Sequence, residues 1–76
     1  MSGEELTKLR ILLKHWVEHN EEHSQEFITW ADKAQAIGEA GTGKKMLAAA
    51  EEMNRAGELL SQALRELGEE RKNVFI

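Results

Sequence analysis

The sequence predicts an all-α fold: a two-helix antiparallel hairpin that assembles as a coiled-coil or four-helix-bundle homodimer. Apolar and interior-type residues recur at alternating three- and four-residue spacing along two long stretches, which is the period of a helix face and not of a strand. Gly38, Gly41 and Gly43 cluster between the stretches, and no proline interrupts either one. A chain of 76 residues makes one domain at most. It buries little surface unless a metal, a partner or very regular helices assist.

The first helix is expected over about 3–37, roughly 50 Å long at 1.5 Å per residue. Its stripe runs Leu6, Leu9, Leu13, Trp16, Asn20, His23, Phe27, Trp30, Ala34, Ile37 without a slip. In heptad terms Leu6, Leu13, Asn20, Phe27 and Ala34 take a, and Leu9, Trp16, His23, Trp30 and Ile37 take d. Leu12 at g and Val17 and Ala31 at e widen the stripe, which suits a bundle better than a simple two-stranded coil. Ser2-x-x-Glu5 has the form of a capping box that opens the helix.

The turn is expected over 38–43, where glycine supplies the left-handed conformation that ends helices and Thr42 can cap the next one. The second helix then covers about 44–68 or further, on Met46, Ala49, Met53, Ala56, Leu60, Ala63 and Leu67, flanked by Ala50, Gly57 and Leu64. This face is mostly small and is expected to receive the bulky Trp and Phe of the first helix. Gly68 weakens its end, while Val74 keeps the same phase. The tip Val74, Phe75, Ile76 has no place in the hairpin and reads as a contact for a partner. One interhelical seam cannot cover so wide a stripe, and a second copy of the chain is the simplest cover.

Composition excludes several functions. With no cysteine there is no disulfide framework, iron–sulfur cluster, thiolate zinc site or thiol nucleophile. A formal net charge of -4 argues against nucleic acid, whose phosphates call for Lys and Arg. No apolar run is long enough for a membrane span. MSGEEL lacks the apolar core of a secretory signal, so a cytoplasmic location is expected. Gly38-Glu39-Ala40-Gly41-Thr42-Gly43-Lys44-Lys45 approaches a phosphate-binding loop. However, Lys45 offers no hydroxyl for magnesium, and the loop would follow a helix where a strand is needed. The di-iron E-x-x-H pattern is absent, since the order here is His-x-x-Glu. No catalytic constellation is readable, so the chain is not expected to be an enzyme.

The informative residues are His15, His19 and His23, which are all of the histidines in the chain and lie four residues apart. Side chains at i and i+4 share one helix face, and two imidazoles so placed can chelate one metal ion. A glutamate follows each histidine by three residues, at Glu18, Glu22 and Glu26, ready to ligate or to orient a ring. The first and last histidine lie about 12 Å apart along the axis, too far for one ion on one straight helix. Either two of them chelate and the third lies in the outer shell, or a second chain contributes, and a site built from both chains is the natural completion. Asn20 at a, between His19 and His23, is the kind of buried polar residue that fixes register. Imidazole with carboxylate or water suits nickel, zinc, copper or iron. The ligands must be neutral, so binding weakens below about pH 6. The alternative is a structural dimerisation or adaptor module with a histidine-containing polar layer and no metal. A third reading is a sensor whose dimerisation is gated by metal.

His15-Trp16-x-x-His19-x-x-x-His23 resembles the HWxxHxxxH motif of the CooJ-type nickel chaperones, accessory proteins of carbon monoxide dehydrogenase. The resemblance spans about nine residues, with a compatible helical pattern over the rest. It implies a helical coiled-coil homodimer that holds Ni(II) near the dimer interface and delivers it to a metalloenzyme client. His15, His19 and His23 would be the ligands and Trp16 the motif aromatic, with Zn(II) or Cu(II) also binding in vitro. The chain departs from that family in ending Arg71-Lys72-Asn73-Val74-Phe75-Ile76, without a long histidine-rich tail.

Overall fold

A computed structural model describes residues 3–68 of the chain. Helix α1, Gly3–Ala36, and helix α2, Ala40–Leu67, run antiparallel as a hairpin 56 × 23 × 13 Å in extent. The two are the only regular elements among the described residues. Ser2 and the Val74–Ile76 tip lie outside the described residues.

The turn is tighter than the glycine cluster suggested. Gly38, at φ +90°, takes the left-handed conformation that a Cβ disfavours. The Glu39 N–H then donates to Ala34 O at 2.8 Å and the Gly38 N–H to Gln35 O at 3.1 Å. This is the paired closure of a Schellman motif. Helix α2 starts at once: Glu39 is its N-cap, without a side-chain capping bond, and the Gly43 N–H donates to Glu39 O at 3.0 Å. Gly41, Thr42 and Gly43 are therefore helical, and Thr42 is not the cap. At the far end Gly68, at φ 72°, donates its N–H to Arg65 O and terminates α2.

The seam also differs from the expected a/d pairing. Leu13, Ser24, Ala31 and Ala34 are the buried residues of α1, and Gly43 and Ala50 those of α2. With half-buried Leu6, Arg10, Val17, Asn20 and Phe27, α1 packs through a and e. On α2 the facing rows are Gly43, Ala50, Gly57, Leu64 and Met46, Met53, Leu60, Leu67. The d row stays outside: Leu9 is 41% exposed, Trp16 43%, Trp30 58% and Ile37 76%.

Where Ser24, Ala31 and Ala34 face Gly43, Ala50 and Gly57, small residues meet small residues and the helices approach too closely for an indole between them. A Cβ added at Gly43 would lie 3.0 Å from Ala31 O and 2.7 Å from Gln35 Cγ, and one at Gly57 would lie 3.1 Å from Asn20 Nδ2. Two polar residues set the register. Asn20 Nδ2 donates to Met53 O. The buried Ser24 hydroxyl is 2.8 Å from Asn54 Oδ1 and 3.4 Å from Ala50 O. Asn20 thus has its partner inside the hairpin, in the register-fixing role.

Candidate metal-binding site

Because the seam lies at a and e, the histidines stand clear of it. His15, His19 and His23 are all exposed on α1, so His23 at d faces solvent and not the intrachain seam. An unbroken α-helix brings each ring beside the next. His15 and His19 meet edge to face at 5.1 Å between centroids, and His19 and His23 stack at 4.7 Å with their planes 16° apart. Phe27 extends the ladder at 6.3 Å from His23. Phe27 was read from the sequence as core only, although its place four residues after His23 was the available signal.

Of the three His-x-x-Glu pairs, His23–Glu26 is the one that closes among the described residues, at 3.5 Å from Nδ1 to Oε1. This places a carboxylate against one ring nitrogen, where it can ligate or fix the tautomer. Trp16 shares the histidine flank, and further along it Lys33 Nζ lies 5.0 Å from the centre of the Trp30 ring.

The donor set fits a borderline transition metal, being imidazole and carboxylate with no thiolate. It is also incomplete. Among the described residues no group of three or more metal-binding side chains stands close enough to hold one ion. One chain brings the imidazoles together in pairs, His15 with His19 and His19 with His23.

The domain of unknown function DUF8180 matches residues 9–67. The chain belongs to the DUF8180 family. The DUF8180 segment takes in all three histidines, Trp16, Trp30, the turn and α2 to its end. An uncharacterized protein of Archaeoglobus fulgidus is 36% identical over 63 residues, covering 83% of this chain and 100% of the relative. No solved structure matches the chain. Among the described residues, no helix is long and apolar enough to cross a membrane.

Proposed function

We propose that this protein holds a divalent transition metal, Ni(II) first, as cargo on the His15–His19–His23 face of α1 and passes it to a metalloenzyme client. The observation that carries the reading is the ladder of three adjacent exposed imidazoles, with a carboxylate on the last. His19 and His23 are the first ligands and His15 the next. An exposed site supports a carrier role, since cargo held at a surface can be handed on, whereas structural metal sites are closed. The likeness of His15-Trp16-x-x-His19-x-x-x-His23 to the CooJ-type motif supports nickel, and a client such as carbon monoxide dehydrogenase. Zn(II) and Cu(II) bind imidazole sites as well and are expected to compete in vitro.

A second reading, a dimerisation or adaptor module without metal, is favoured by the exposed d row. Calorimetric titration of metal-free protein with Ni(II) and Zn(II), beside a His19→Ala/His23→Ala variant, separates the two. Saturable binding that the double variant loses supports the carrier. Absence of binding near neutral pH supports the adaptor.

A further inference from the structure

A groove of about 570 Å³ runs along one flank of the hairpin, lined by Val17, Asn20, Met53, Gly57, Glu58 and Arg65. It lies on the far side of the seam from His23, since its rim residue Glu21 takes b where His23 takes d. Its wall at Gly57 is bare backbone, where a Cβ would lie 3.1 Å from Asn20 Nδ2. The charges along it are ordered. Arg65 stands nearest the open end of the hairpin, Glu58 comes next, and Glu21 lies further in on α1. Arg10 sits one heptad before Val17, on the same row of α1. Its Nε is buried and has no hydrogen-bond partner among the described residues. A buried donor left unpaired is costly and calls for an acceptor.

We infer that the chain's own segment 69–76 folds back from Gly68 into this groove. Gly68 lies one heptad beyond Ser61 and two beyond Asn54, which both line the groove, so α2 ends on the groove side. The left-handed conformation of Gly68, φ 72°, turns the chain off the helix axis at that point.

Length and charge order then agree. A returning extended chain covers about 3.3 Å per residue, and α2 rises about 1.5 Å per residue. Glu69 and Glu70, about 3–7 Å along the returning chain, come beside Arg65, about 5 Å from Gly68 along α2. They supply the carboxylate that the Arg10 guanidinium lacks. Arg71 and Lys72, at about 10–13 Å, come beside Glu58, at about 15 Å. Val74 and Phe75, at about 20–23 Å, arrive level with Gly57 and Met53, at about 16–23 Å. The apolar tip thus meets Val17, Met53 and the open space over Gly57, while opposite charges meet along the way. Ser61 and Gln62 offer hydrogen-bond partners to the tail's backbone, which has no helix or sheet to satisfy it. The contact needs no metal and leaves the histidine face uncovered.

The test uses the full chain, which has no cysteine, with one nitroxide at Asn73→Cys. In ¹⁵N-labelled protein the amide signals of Asn20, Met53 and Gly57 are expected to lose most of their intensity, while those of Trp30 and Ile37 keep theirs. A Glu58→Lys/Arg65→Glu variant is expected to recover that intensity. Its helical circular dichroism should be retained, because both side chains are exposed. Adding Glu69→Lys, Glu70→Lys, Arg71→Glu and Lys72→Glu to that variant should bring the loss back. Intensity kept at Asn20 and Gly57 in the parent overturns the inference, and so does a loss confined to Leu9, Trp16 and Ala63 on the other flank. A loss that the charge reversal leaves intact overturns the register. In a mixture of ¹⁵N chain without nitroxide and unlabelled chain with it, no loss is expected. Loss at Asn20 and Gly57 in that mixture means that the tail comes from a second copy, which also overturns the inference.

Discussion

Gly41 and Gly43 sit two residues apart in the first turns of α2, and the close seam predicts opposite outcomes for them. Alanine at either position gains helix propensity of about 0.5–1 kcal/mol over glycine. At Gly41 a new Cβ meets nothing within 4 Å, so Gly41→Ala should be stabilising by that amount. At Gly43 the Cβ would lie 2.7 Å from Gln35 Cγ and 3.0 Å from Ala31 O. The Gln35 side chain is exposed and can swing away. The Ala31 carbonyl belongs to the α1 backbone and yields only if the helices part. Overpacking of this kind costs about 1–3 kcal/mol, so Gly43→Ala should be destabilising by about 1 kcal/mol net of its propensity gain. For a domain of this size, 1 kcal/mol is about 4–8 °C in Tm. Thermal melts by circular dichroism at equal protein concentration, fixed because assembly shifts Tm, should show Gly41→Ala rising and Gly43→Ala falling. Equal rises at both positions would falsify the small-on-small seam.

Three further outcomes follow from the same geometry. Gly38→Ala forces a Cβ into φ +90° and should cost about 1–2 kcal/mol in urea unfolding. Ser24→Ala removes the hydroxyl beside Asn54 and should cost about 1 kcal/mol. Ser24→Leu, at a side chain only 1% exposed, should cost more by overpacking, and the reverse order would mean the helices are not in close contact there. In competition dialysis with Ni(II), His19→Ala and His23→Ala should each weaken binding at least about tenfold, while His15→Ala should do less. A larger loss from His15→Ala would move the half-site to the His15–His19 pair.

Two helices and a glycine turn were legible in the sequence because a three-four repeat and missing prolines leave few alternatives. The seam was harder to place. Leu6, Leu13, Asn20, Phe27 and Ala34 are shared by an a/d and an a/e reading, and Trp16 and Trp30 draw the eye to d because large apolar residues are usually core. The deciding signal was the run of small residues Ser24 and Ala31 on e, matched on α2 by Gly43, Ala50 and Gly57. Close approach of two helices selects for small size, and hydrophobicity alone does not register it. Thr42 looked like a cap by residue type, but Glu39 N-caps α2 because Gly38 already reverses the chain. The three histidines were visible by spacing, and their adjacency on one face follows from helix geometry alone. Their exposure was not, because it depends on which row the hairpin buries.

His19 and His23 are proposed as the first ligands of a carried transition metal. The most direct measurement is a ¹H–¹³C imidazole spectrum of labelled protein titrated with sub-stoichiometric Ni(II) near neutral pH. The His19 and His23 signals should shift or broaden first and His15 after them, while the Phe27 ring changes only as their neighbour. Imidazole signals that stay unchanged up to one equivalent of Ni(II), or that all respond alike to excess metal only, would contradict it.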